Sequence, residues 1–147
     1  MNMRTGIVLS SYGGMLAKIL PIFKLGLGGK IGSGDQYISW IALDDVLTTI
    51  LYAITNDSII GPINAVSPNP VTNTYFIKTI GKVLSKPTSF TLPAFIARAV
   101  FGKELADSLF FSSTRVIPSR LLKGGYKFRF SDFESALRHT FGVYVNN

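Results

Sequence analysis

The chain has 147 residues, 47% of them hydrophobic and only 16% charged, a composition that excludes a disordered tail. Fifteen Lys and Arg against eight Asp and Glu give a net charge of +7, and the absence of Cys excludes disulfides, thiolate metal sites and thiol nucleophiles. Zero Cys also suits a reducing, cytoplasmic setting. No membrane span is expected, because Asp44 and Asp45 break the long apolar stretch over residues 37–54.

Thr5 to Leu9 is a short, partly β-branched apolar run that predicts a buried strand, and Ser10-Ser11-Tyr12-Gly13-Gly14 predicts a turn after it. The same residues cut the N-terminal apolar run too short for a secretory signal. Met15, Leu16, Ile19, Leu20 and Phe23 recur at helical spacing, with Pro21 expected to kink or divide that helix. Residues 26–34 (GLGGKIGSG) read as loop and Tyr37 to Ile41 as strand. Asp44 and Asp45 then open a helix that places Val46, Thr49, Ile50 and Ala53 on one face. Pro62 to Val66 reads as a second buried strand, and Thr72 caps a helix through Leu84 with Phe76, Ile80 and Val83 inward. This alternation predicts an α/β fold with a parallel sheet and helical crossovers.

Beyond Leu84 the pattern gives short helices over residues 93–101 and 104–111, a turn at Gly124-Gly125 and a brief strand from Tyr126 to Phe130. Ser131 and Glu134 read as a capping box that starts a last helix running to about His139. Residues 1–73 hold four bases and four acids, whereas residues 74–147 hold eleven bases and four acids, so the second part carries the whole net charge.

The residues offer little catalytic chemistry. The glycines of 26–34 lack the strand-to-helix context of a dinucleotide turn, and Ile31 stands where a Walker loop needs Ser or Thr, so a surface or substrate-facing loop is expected. His139, the one histidine, suits the negative end of a helix, and the scattered carboxylates predict no metal site. Neither Ser10-Ser11 nor Ser112-Ser113 lies in a Gly-x-Ser-x-Gly elbow, and no Tyr-x-x-x-Lys is present. Trp40 reads as a core anchor beside a strand-to-helix junction, where α/β ligand sites also collect. Arg115, Arg120, Lys123, Lys127 and Arg129 alternate in part with Tyr126, Phe128 and Phe130. They allow either a polyanion or nucleic-acid binding module or a half-buried strand with rings inward. The second reading is the simpler, because no known nucleic-acid motif accompanies the charge.

Taken in order, residues 4–10 (RTGIVLS), Gly13-Gly14, Gly32-Ser33-Gly34, Trp40-Ile41 with Asp44-Asp45, Gly61-Pro62-Ile63-Asn64 and residues 67–72 (SPNPVT) form a series. It resembles the NAD(P)-dependent epimerase/dehydratase proteins, which are extended short-chain dehydrogenases/reductases. Arg115-Val116-Ile117-Pro118, Leu121-Leu122 and Gly125-Tyr126-Lys127-Phe128 resemble the C-terminal domain of unknown function of one uncharacterised epimerase-like branch. The resemblance implies a single truncated unit over residues 1–147. Residues 1–84 would be the end of a Rossmann-like doubly wound sheet, and residues 85–147 a basic, mostly helical substrate-side subdomain.

In that family the glycine-rich turn, the catalytic Ser and the Tyr-x-x-x-Lys precede the strand that residues 4–9 resemble. The resemblance therefore implies a C-terminal portion that is inactive alone or one half of a split oxidoreductase, with no catalytic residue of its own. NAD or NADP would not be bound by this chain alone. The expected partners are a separately encoded N-terminal half or a second copy paired along the open sheet edge; neither a membrane nor nucleic acid is expected. Resemblance also implies Ser10, Gly13 and Gly14 on the cofactor side and Ser33, Gly34, Gln36 and Trp40 on the substrate side. Relatives usually carry His two positions after the aromatic, where this chain has Ala42. Asp45 matches a common acid of the family, and bonding to N–H groups at the start of its helix accounts for it without chemistry.

Overall fold

The computed structural model describes residues 2–107 and 113–143. The first strand run is two segments, β1 (Met3–Thr5) and β2 (Ile7–Leu9), joined at Gly6. β1 lies parallel to β6 (Ile63–Ala65), and β2 lies parallel to β5 (Trp40–Ala42). A Cβ on Gly6 would stand 2.7 Å from the Ser39 carbonyl oxygen, so the missing side chain lets the backbone pass from one partner to the next. The expectation of a fully buried strand is corrected here: Leu9 is buried, but Gly6, Ile7 and Val8 are half-buried and Thr5 is exposed. The reason is that β1 and β2 each have one strand partner among the described residues.

The predicted α/β alternation is present. β2 leads to helix α1 (Gly14–Lys24), which runs unbroken through Pro21 and buries Met15, Leu16, Ile19, Leu20 and Phe23. β5 leads directly into α2 (Leu43–Thr55), and Thr72 accepts from the Tyr75 amide to cap α3 (Asn73–Leu84). The glycine-rich stretch is not all loop. It contains β3 (Gly29–Ile31), parallel to β8 (Phe90–Leu92), because Gly29 has no Cβ to overlap the Phe90 carbonyl. Tyr37 to Ile41 divides into β4 (Tyr37–Ile38), antiparallel to β7 (Val71–Thr72), and β5.

Among the described residues four further helices follow: α4 (Ala94–Phe101), α5 (Lys103–Ala106), α6 (Ser119–Lys123) and α7 (Phe133–Phe141). The last part of the expected 104–111 helix lies outside the described residues. Two other expectations are corrected. Residues 126–130 form no strand among the described residues, because Asp45 accepts the Arg129 and Phe130 amides that a ladder would use. The cap of α7 is Asp132, whose carboxylate accepts from the Ser135 amide at 2.9 Å; Glu134 instead bonds Lys82 and Arg138.

The main core joins elements on both sides of Leu84: Leu9, Leu16, Ile19, Phe23, Trp40, Phe76 and Ile80 pack with Ala97, Phe133 and Leu137. Phe133 stacks on Phe76 at 5.1 Å and meets Trp40 edge-on at 5.3 Å, tying α7 to α3 and β5. A smaller cluster of Ala53, Ile63, Leu121 and Tyr126 fixes α6 beneath α2 and β6.

Candidate functional site

β2 and β5 run parallel and stop at Leu9 and Ala42, and the chain turns away from the sheet at both points. The C-terminal ends of parallel strands are where such sheets take ligands. A cavity of about 150 Å³ opens there, lined by Leu9, Ser10, Ser11, Tyr12, Ala42, Leu43, Asp44, His139 and Thr140. Its polar edge is built from three distant parts of the chain. The Asp44 carboxylate, in the first turn of α2, lies 2.9 Å from His139 Nε2 and 2.9 Å from Arg129 Nη1. Phe130 stacks on the imidazole at 4.7 Å, so the ring is oriented both in its plane and across its face. Ser10 Oγ accepts from the Tyr12 amide at 3.2 Å, which folds the turn back toward the sheet end. Gly13 and Gly14 follow in open space at the start of α1, whose first turn has no side-chain cap.

Asp45, next in sequence, serves structure. It is fully buried, and its two oxygens accept the amides of Arg129 and Phe130 at 2.8 and 2.9 Å and the Tyr126 hydroxyl at 3.2 Å. The N–H groups it bonds thus belong to a segment 84 and 85 residues away rather than to its own helix. Burial pushes the Tyr126 hydroxyl above the usual tyrosine value, with the Asp45 charge adding to the rise.

Of the residues that the resemblance implies, Ser10 lines the cavity and Gly13 and Gly14 adjoin it. Ser33, Gly34 and Gln36 gather elsewhere, on the loop against the start of α3. There the Gly34 carbonyl accepts from Thr74, and the Gln36 carbonyl accepts from the Asn73 amide. Trp40 is wholly buried, with its indole N–H on the Asn69 carbonyl at 2.8 Å. An open groove of about 470 Å³ between Tyr37, Tyr75, Asn69 and Asp132 lies near this second group. Sequence reasoning missed the Asp44–His139 pair. Its only signal was an acid pair at a helix start, and 95 residues separate the partners.

The basic segment is largely engaged within the molecule. Arg115 lies over the Tyr37 ring at 4.7 Å, Arg129 pairs with Asp44, and Arg120 donates to the Ile60 carbonyl. Tyr126 and Phe128 pack edge-on at 4.8 Å within or against the smaller cluster. No group of metal-binding side chains is found among the described residues, and no helix of the described residues is long and apolar enough to cross a membrane.

Parallel strands with helical crossovers and a polar cavity at the strand ends define the C-terminal part of a Rossmann-like, epimerase-type fold. The crystal structure of human epimerase family protein SDR39U1 (isoform 2) with NADPH matches it at a TM-score of 0.87 and 35% identity, over 97% of this chain and 48% of that one. Residues 92–140 match the family model described as a domain of unknown function, DUF1731. The Mycobacterium tuberculosis epimerase family protein MT2273 is 42% identical over 91% of this chain and 44% of its own length. Human SDR39U1 is 37% identical over 92% and 46%. The chain thus matches the C-terminal part of proteins of this epimerase family. It spans a little under half the length of the curated relatives it matches. The Thermus thermophilus UDP-glucose 4-epimerase complex with NAD, at a TM-score of 0.66 and 17% identity, shares the fold.

Proposed function

We propose that this chain supplies the substrate-side wall of an NAD(P)-dependent epimerase- or reductase-type cleft and works together with a nucleotide-binding half of the same fold. The observation that carries the reading is the polar cavity at the ends of β2 and β5, where Ser10, Ser11, Asp44 and His139 converge. Gly13 and Gly14, with the uncapped start of α1, fit the edge of a nicotinamide cofactor, since nothing blocks close approach to the backbone. They do not fit a whole dinucleotide, because the chain's Gly-x-x-Gly-x-x-Gly spacing, at Gly26, Gly29 and Gly32, follows helix α1 and contains β3 instead of leading from a strand into the helix start that cradles a pyrophosphate. When bound, such a cofactor gives or takes a hydride. The chain's own residues then bound the substrate: Asp44 and Phe130 hold the His139 ring beside it, and the hydroxyls of Ser10 and Ser11 offer hydrogen bonds. With no Tyr-x-x-x-Lys pair, the chain alone does not turn over substrate.

The test is co-production with the N-terminal segment of the Mycobacterium tuberculosis relative that lies outside the match, followed by size-exclusion chromatography with light scattering. A one-to-one complex is the expected result. Separate elution of the two chains overturns the reading.

A further inference from the structure

The outward face of α2 is apolar where a solvent-facing helix is ordinarily charged. Its buried stripe is narrow and contains small or polar residues, Asp45, Thr49 and Ala53. Its larger aliphatics point away from the core: Leu43 is 41% exposed, Leu47 60%, Ile50 36%, Leu51 62% and Ile54 66%. After Asp45 the helix carries no charged residue at all. Positions 43, 47, 50 and 54 repeat at intervals of four, three and four, and Leu51, four residues after 47 and three before 54, widens the same seam, which a second helix packs against. An exposed aliphatic seam of this kind marks an interaction surface.

We propose that this seam is the docking site for an amphipathic helix of the nucleotide-binding half. The inference rests on the function proposed above and names the surface involved. Two observations identify the occupant. First, α2 packs on β2 and β5, and β2 has one strand partner among the described residues. A parallel strand added to its open edge brings a crossover helix onto the sheet face beside α2. Second, the relatives that match this chain are about twice its length, and the unmatched part is the first half of their fold. A face without charge selects an apolar partner surface rather than a polyanion or an acidic peptide.

The test uses three variants of the full chain with that same N-terminal segment. The double variant Leu47→Glu/Leu51→Glu places charge on the seam at exposed positions, so the fold is retained and circular dichroism verifies it. It is expected to weaken the complex at least about tenfold. Phe95→Glu, at an exposed site on α4, is expected to leave affinity unchanged. The chain has no Cys, so Leu51→Cys carries a single bimane label whose emission shifts to the blue when the seam is covered. A complex unaffected by Leu47→Glu/Leu51→Glu, with no bimane shift, overturns the docking face and leaves the proposed function standing. Absence of any complex with the wild-type chain removes both. A homodimer of the wild-type chain that the double variant dissociates overturns the proposal in favour of a second copy on this face.

Discussion

Asp45 is the side chain on which the C-terminal segment depends, because one buried carboxylate satisfies two backbone amides and a tyrosine hydroxyl. Asp45→Ala leaves these donors without an acceptor and is expected to cost about 3 kcal/mol; Asp45→Asn, which keeps one oxygen, costs about half of that. Urea midpoints at unchanged slope read both, and hydrogen exchange should rise first at residues 126–130. Glycines separate in the same way according to what surrounds them. Gly29→Ala drives a methyl into the Phe90 carbonyl and is expected to destabilise by about 2–3 kcal/mol, whereas Gly13→Ala stands in open space with an extended backbone and stays within about 0.5 kcal/mol. Equal midpoints for these two variants contradict the strand pairing of β3. At this scale the sequence was a partial guide. An acid at a helix start was visible at Asp45, but its true partners lie more than eighty residues on, and no local rule reaches that far. His139 was legible as a helix-end residue and illegible as the partner of Asp44 for the same reason.

Among the elements, α7 holds the C-terminal part to the sheet through one aromatic and one ion cluster. Phe133 fills the space between Trp40 and Phe76, and Phe133→Ala is expected to cost about 3–5 kcal/mol. The hydrogen bond from Lys82, with a second from Arg138, holds the Glu134 carboxyl below its ordinary value. A lowered native value means that the unfolded chain takes up the proton first as pH falls. The stabilisation is therefore complete above about pH 4.5 and is lost as pH falls through the native value. Glu134→Gln is expected to flatten that part of the stability profile. Tyr126 acts with the opposite sign: its raised value makes stability fall as pH climbs past 10. Helices α1 and α3 and strand β6 were legible because their apolar spacing and the Thr72 cap are local signals. β3 was not, since glycine reads as loop until a partner strand needs its bare backbone. Residues 126–130 alternate as a strand does, yet the Arg129 and Phe130 amides go to a side chain instead of a ladder.

For the whole molecule, one core spans residues on both sides of Leu84, so the C-terminal part is built onto the sheet rather than tethered to it. The resemblance to epimerase family proteins was legible from ordered short motifs because these mark turns and helix starts whose spacing the fold fixes. The cavity was legible only in its Ser10 edge, because its other wall comes from α2 and α7. The edges of β1 and β2 that have no partner among the described residues and the bare seam of α2 belong to one surface problem, for which a complementary half of the fold is the proposed solution. The most direct test of that account is an NADPH titration followed by nicotinamide fluorescence, on the chain alone and after co-production with the N-terminal segment of the mycobacterial relative. The account expects no saturable signal from the chain alone and a saturable enhancement from the complex. Saturable NADPH binding by the isolated chain would contradict it.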